Sequence, residues 1–424
     1  MTVIRERATP ALFGLALIAL VVPLSAGHAA PLEWSFDGVP LPADTRPLPA
    51  AASAFAGMWV GTWDGRLKTV LIVEAIASDG SAKVVYAVAE NPGRFKRAWF
   101  RLDGMVAGRT LTVPTNRLSL RFTLSKSGRL RGVFGPGYSF AVLTRANLAK
   151  LRRTGAPPPW LVGKRVFLST DLVERGKPIR LEAIVFRPKG RGPFPLAVVS
   201  HGSTGDGTDP AVAKATWTNA WLADILNERG WIVAFPHRRG RGRSDGTYDE
   251  GFAADRRKGY TCDTRRSLAG ADRALDDLRA AILALRRRPD VSAAPILLAG
   301  ASRGGILSLA YAGRYPAEVS GVLNFVGGWM GEACKTASDI NQTLFKRAAA
   351  FKRPTLWLYG RDDIFYSMAH SRANFAAFRA AGGTGRFVEL TVRGTRNGHW
   401  VIAIPPLWSL PVATYLDSLR SSSR

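Results

Sequence analysis

Ile296-Leu297-Leu298-Ala299-Gly300-Ala301-Ser302-Arg303-Gly304-Gly305-Ile306-Leu307 changes kind halfway along. The leading apolar run reads as a short buried strand and the glycine-bracketed serine as a sharp turn. Ile306, Leu307, Leu309, Ala310 and Tyr311 then continue as an apolar helix. Gly-x-Ser-x-Gly between a strand and a helix forces the serine into a strained backbone conformation, and the glycines let neighbouring chain approach it. The turn sets the hydroxyl at the carboxyl edge of a sheet and at a helix N-terminus, where the dipole favours a developing anion. Ser302 is therefore the candidate nucleophile.

A serine hydroxyl is a weak nucleophile at neutral pH and needs a general base, which in turn needs an orienting carboxylate. The chain has five histidines. His28 lies in the leader, His201 ends a predicted strand, His237 follows another inside an Arg/Gly loop, and His370 begins a helix. His399, in Arg396-Asn397-Gly398-His399-Trp400 after the last predicted strand, is the candidate base. The acid is expected after the penultimate strand, in Gly360-Arg361-Asp362-Asp363. Gly-x-x-Asp spacing favours Asp363, with Asp362 as the second candidate. A tetrahedral oxyanion needs donors. The backbone N–H of Arg303 is one, and the N–H of Ser203, in the turn after Val198-Val199-Ser200-His201-Gly202, is the other. The Arg303 side chain has two readings, steering a carboxylate-bearing substrate or pairing with a local acid. The loop Gly327-Gly328-Trp329-Met330 and the stretch 245–262 both leave strand ends, where such sheets place ligands, so Trp329 is a candidate pocket residue, and Arg303 is one on its substrate-steering reading.

Working outward, residues 180–186, 196–200, 231–236, 296–300, 321–326, 355–360 and 387–392 read as strands, with helical patterns between most of them. The clearest helix runs through Leu268, Ala271, Leu275, Leu278, Ile282 and Leu285 and closes on Arg286-Arg287-Arg288-Pro289, where cations suit the dipole and proline stops the helix. Alternating strands and helices predict a mostly parallel sheet covered on both faces, over residues 161–424. Residues 57–148 differ. Short alternating runs are punctuated by Asp64-Gly65, Asp79-Gly80, Asp103-Gly104, Ser127-Gly128 and Pro136-Gly137, and about eight strands predict a small antiparallel β-barrel or sandwich. Gly155-Ala156-Pro157-Pro158-Pro159 marks a Pro-rich linker over 149–160. Residues 30–56, rich in Pro and Ala, read as a flexible lead-in segment.

The first 29 residues carry Arg5 and Arg7, then an apolar run over 11–22, then the small residues Ser25-Ala26-Gly27 and Ala29. That plan predicts a cleavable signal peptide, with a retained anchor as the alternative, and hence a periplasmic or secreted protein. Beyond the membrane, where disulfides persist, Cys262 and Cys334 are expected to bridge, tying the two loops beside the site. Neither has metal-ligand spacing, and no metal or cofactor is expected. No internal stretch approaches 18 uninterrupted apolar residues, so a polytopic membrane protein is excluded. The formal net charge is +27, from 46 arginines and 13 lysines against 32 acidic residues. The Arg/Gly loop 237–243 lacks the interleaved aromatics of single-strand binders, so nucleic acid is not the expected partner. A compositional bias explains the charge, with association to an anionic envelope surface as a secondary reading.

Taken together, His201-Gly202-Ser203, Pro236-His237-Arg238-Arg239-Gly240-Arg241-Gly242-Arg243-Ser244, the Ser302 turn, Gly360-Arg361-Asp362-Asp363 and Gly398-His399 resemble the α/β-hydrolase superfamily over about residues 160–420. Within it they look like the dienelactone-hydrolase-like and prolyl-oligopeptidase-like branches. Dienelactone hydrolases proper use a cysteine where this chain has Ser302, and no propeller precedes the catalytic part. The order Ser302, Asp363, His399 is the one that fold carries. The resemblance implies an α/β-hydrolase fold and a serine hydrolase acting on a small-molecule ester, less readily an amide, through an acyl-enzyme. The rival reading is a non-catalytic binding protein on a hydrolase scaffold that recognises an anionic envelope polymer.

Overall fold

The computed structural model describes residues 33–421, apart from residues 94, 117, 138, 157, 159, 161 and 393–396. The expected signal peptide, residues 1–29, lies outside the described residues. No helix among them is long and apolar enough to cross a membrane. The chain divides into two compact units, the first reaching residue 160 and the second holding residues 161–392 and the C-terminal segment.

In the first unit, β1 (Glu33–Phe36) and β2 (Val39–Pro42) form an antiparallel hairpin. Eight strands follow: β3 (Gly57–Trp63), β4 (Leu67–Ile76), β5 (Ser81–Val88), β6 (Ala98–Ala107), β7 (Thr110–Pro114), β8 (Ser119–Leu124), β9 (Leu130–Phe134) and β10 (Ser139–Ala146). Each pairs antiparallel with the next, and β10 returns to β3, so the sheet closes into a barrel rather than a sandwich. Its interior is filled by Trp59, Trp63, Leu71, Tyr86 and Phe122. The Trp63 indole donates to the Tyr86 hydroxyl at 2.9 Å, which satisfies both buried polar groups.

Residues 30–56 are not simply a flexible segment. Val39 and Leu41 are fully buried against the outer faces of β3, β4 and β5, through Met58, Val60, Val70 and Val85. Those strands are thus apolar on both faces. The start of the expected linker is likewise structured. Helix α1 (Leu148–Thr154) is capped by the Asn147 side chain and ended by Gly155 in the left-handed region, with Leu148 and Leu151 on the same outer cluster.

The second unit is built on eight strands: β11 (Lys164–Glu174), β12 (Lys177–Phe186), β13 (Leu196–Ser200), β14 (Ile232–Pro236), β15 (Ile296–Ala301), β16 (Val319–Phe325), β17 (Thr355–Gly360) and β18 (Gly385–Leu390). Their order is β11-β12-β14-β13-β15-β16-β17-β18. From β14 onward all pairs are parallel; β11 and β12 are the antiparallel end. Strand β11 is absent from the sequence expectation because its burial alternates at a sheet edge and carries a bulge. The short helices α2 (Pro210–Lys214) and α3 (Ala220–Asn227) precede β14. Helix α4 (Thr264–Arg286) precedes β15 and α5 (Arg303–Arg314) follows it. Three more follow, α6 (Ala337–Ala348), α7 (Met368–Ala380) and α8 (Pro405–Ser421). Helices α4, α5 and α6 pack together, while α3 packs with α8. Every residue of β13, β15 and β17 is buried, as expected of parallel strands covered on both sides.

Candidate active site

Ser302 links β15 directly to α5 and sits at φ 54°, ψ −124°, a conformation rare for a non-glycine residue. The turn is possible because Gly300 and Gly304 touch other backbone at close range. A Cβ on Gly304 would lie on the Ser200 carbonyl at the end of β13, and one on Gly300 would lie on the Gly304 carbonyl. Ser302 stands at the N-terminus of α5, with the first N–H groups of that helix beside it.

The histidine and acid arrive on two loops that brace each other. Asn397 Oδ1 accepts the N–H of His399 at 2.9 Å and that of Ile364 at 3.2 Å, and the Gly398 N–H bonds the Asp362 carbonyl at 3.2 Å. His399 Nδ1 lies 2.8 Å from Asp363 Oδ2, with side-chain exposures of 8% and 1%. Asp363 Oδ1 accepts the N–H groups of Phe365 at 2.8 Å and Tyr366 at 3.1 Å, so both carboxylate oxygens are engaged. A carboxylate so held fixes one imidazole tautomer, with Nε2 left as the acceptor. Asp362 is exposed and does not share this role. Tyr366, which sequence reasoning did not single out, is buried beside the pair. Its ring is 5.5 Å from that of His399, and its hydroxyl lies near the Ser302 side chain. Burial pushes that phenol upward, so it stays protonated.

On the opposite side, Gly202 approaches the elbow closely enough that a Cβ there would sit 3.1 Å from the Ser302 Cβ. The turn carrying Gly202 and the half-buried Ser203 therefore adjoins the serine, as the second oxyanion donor requires. Beneath it lies a buried polar cluster. Arg238 pairs with Glu250 at 2.5 Å and Arg239 with Asp277 at 2.5 Å. His201 and His237 are stacked, 5.5 Å apart. Burial, then the Arg238 and Arg241 charges, hold His201 well below its ordinary value, and burial brings His237 to about 4 against the opposing pull of Glu182. Both are neutral at neutral pH. His370, on α7, is also lowered by burial and faces Glu332 at 3.3 Å.

The two expected pocket residues are placed differently. Arg303 is 2% exposed: its Nε donates to the Trp329 carbonyl at 2.9 Å and Nη1 to the Glu250 carbonyl at 2.9 Å, with Glu250 Oε2 at 3.4 Å. Its guanidinium stacks 3.6 Å from Tyr260 and 4.2 Å from Trp329. Of its two readings the structure carries the second, pairing with a local acid. Trp329 is 1% exposed and spends its indole N–H on the Ser267 carbonyl at 3.0 Å, so it is a wall element behind the site rather than an open pocket surface. Cys262 and Cys334 are bridged, with Cα atoms 5.6 Å apart, joining the two loops that clamp Arg303. Among the described residues no group of three His, Cys, Asp or Glu side chains is placed to hold a metal ion.

Residues 212–327 match the family described as serine aminopeptidase, S33. No curated protein matches the chain. Among solved structures it is similar to Est1E from Butyrivibrio proteoclasticus with ferulic acid bound, at 16% identity and TM-score 0.42, covering 60% of this chain and 99% of that one. It is also similar to the esterase Pf2001 of Pyrococcus furiosus, at 13% identity and TM-score 0.41 over 60% and 90% of the two chains. A third is the acylaminoacyl peptidase of Pyrococcus horikoshii, at 11% identity and TM-score 0.40 over 80% and 51%. Its own strand order and the serine elbow after β15 give the second unit an α/β-hydrolase fold, and part of that unit, residues 212–327, carries the pattern of the serine aminopeptidase, S33, family.

Proposed function

We propose that the protein is an exported carboxylesterase of the dienelactone-hydrolase-like kind, cleaving a small-molecule ester through an acyl-enzyme. Ser302 attacks the carbonyl, His399 Nε2 takes the hydroxyl proton and returns it to the leaving alcohol, and Asp363 holds the imidazole. The N–H groups of Arg303 and Ser203 receive the oxyanion. Water then repeats the sequence on the acyl-enzyme and frees Ser302. Two observations support this reading: the 2.8 Å His399–Asp363 contact, and a serine held at positive φ between a strand and a helix. Export is supported by the leader pattern of residues 1–29 and by the Cys262–Cys334 bridge.

A fluorophosphonate probe is expected to label the wild type and to leave Ser302→Ala unlabelled. Labelling that survives the substitution moves the nucleophile elsewhere. p-Nitrophenyl esters of increasing chain length beside a dipeptide amide separate esterase from amidase. Heparin retention with no ester turnover would favour the anionic-polymer binding reading instead.

A further inference from the structure

Behind the Gly202–Ser203 peptide the structure gathers more positive charge than it neutralises. Arg238, Arg241 and Arg303 are all at least 96% buried, and they surround one carboxylate, Glu250. Arg241 makes no ion pair among the described residues. Its Nε donates to the Ala213 carbonyl at 3.3 Å, and the Tyr248 ring lies 5.2 Å from its guanidinium. A buried guanidinium without a carboxylate is costly, and such groups persist where something uses their field.

The hydrogen bonds indicate what uses it. Arg241 Nη1 donates to the Gly202 carbonyl at 3.0 Å, and Arg238 Nη2 donates to the same oxygen at 3.3 Å. The Arg238 N–H reaches His201 Nε2 at 3.2 Å, which makes Nε2 the acceptor and Nδ1 the protonated nitrogen. Nδ1 then donates to the Gly202 carbonyl as well, at 2.8 Å. Three donors, two of them cationic, therefore converge on one carbonyl. A trans peptide is planar with its C=O and N–H opposed. Anchoring the Gly202 oxygen inward points the Ser203 N–H away from the cluster, on the unit whose glycine adjoins Ser302. Pulling electron density toward that oxygen also makes the N–H a stronger donor.

We propose that Arg241, with Arg238 and His201, is a positioning residue that orients and polarises the Gly202–Ser203 peptide as an oxyanion donor; this rests on the serine-hydrolase reading above. The cluster never touches substrate. It acts where charge develops, in a dry site where fixed dipoles need no reorganisation. Substrate binding in the ground state, where the carbonyl is neutral, is affected little.

The test compares Arg241→Gln and Arg241→Lys with wild type, using p-nitrophenyl esters and an aryl trifluoromethyl ketone, which adds to the serine as a tetrahedral oxyanion. Rates are referred to sites titrated with fluorophosphonate, so only folded enzyme is counted. Arg241→Gln keeps donors and loses the charge; kcat is expected to fall about ten- to a hundred-fold with KM within about threefold. Ketone affinity should fall by the same factor as kcat/KM. Arg241→Lys, which keeps the charge and one donor, should show a smaller loss, again matched in rate and ketone affinity, and this variant alone suffices if the glutamine variant does not fold. A kcat within twofold of wild type overturns the proposal. So does a loss that appears in KM, or one that leaves ketone affinity unchanged. Failure of the underlying reading looks different: wild type itself would then neither label nor turn over esters.

Discussion

Asp362 and Asp363 are neighbouring carboxylates with opposite surroundings, and the difference decides which one can serve a histidine. Asp362 is exposed at φ 60°, while Asp363 gives one oxygen to His399 and the other to two backbone N–H groups. Asp363→Asn presents an amide where the imidazole needs an acceptor, and favours the wrong tautomer. It is expected to lower kcat by about 10³–10⁴-fold with little change in KM. Asp362→Asn keeps a residue tolerant of the left-handed region and should stay within about twofold. Steady-state kinetics on both variants check the pair, and equal losses would remove the distinction. The Gly-x-x-Asp spacing already favoured Asp363, since the chemistry constrains that residue locally. Tyr366 was not legible, because its position beside Ser302 depends on β16 and β17 being neighbours, with its ring lying over Gly328. Nor was the fate of Arg303, whose partners Glu250 and Trp329 come from two loops that only the folded sheet brings together.

At the scale of elements, what the sequence shows is what local chemistry dictates. The β15–Ser302–α5 unit is readable because a fully buried parallel strand is continuously apolar and because its turn needs small residues. The β1–β2 hairpin and α1 were missed for the complementary reason. Each is short and acquires order from Val39, Leu41, Leu148 and Leu151 docking on the outside of the barrel, contacts that leave no period in so few residues. Gly304 shows how tightly the elbow is specified. Because its Cβ would meet the Ser200 carbonyl, Gly304→Ala must move either β13 or the start of α5. It is expected to destabilise the second unit by about 2–4 kcal/mol and to lower fluorophosphonate labelling of the folded fraction. Gly331→Ala is the control, since its Cβ would lie 3.6 Å from the nearest atom. Urea unfolding separates the two, and equal midpoints would mean that the elbow can relax at no cost.

Over the whole molecule the excess of arginine is not merely a solvated coat. Arg238, Arg239, Arg241 and Arg303 are buried and spend their donors on carbonyls and carboxylates around the site. The Arg/Gly stretch read from the sequence as a loop is thus interior wiring. That arrangement sets how stability responds to acid. His201 lies well below its ordinary value and His237 at about 4, whereas an unfolded imidazole titrates near 6.5. Between pH 6.5 and 4 the unfolded chain binds protons that the folded chain refuses, so stability falls as pH drops, by up to about 1.4 kcal/mol per pH unit for each imidazole. Glu174 adds a lower window. Hydrogen bonds from Thr247 and Arg273 hold it at about 2, so its contribution is complete above about pH 4.5 and disappears as pH falls toward 2. Self-repulsion of a chain with formal charge +27 acts in the same direction but is screened by salt, whereas the buried imidazoles are not. Urea midpoints measured from pH 7 to 4 in 0.5 M NaCl should therefore still decline below pH 6.5. His237→Gln should flatten that decline, while Glu174→Gln should lower the midpoint by a constant amount above about pH 4.5 and change the slope only below it. A profile that salt levels completely would place the acid sensitivity on the surface charge and not on the histidines beneath Ser302.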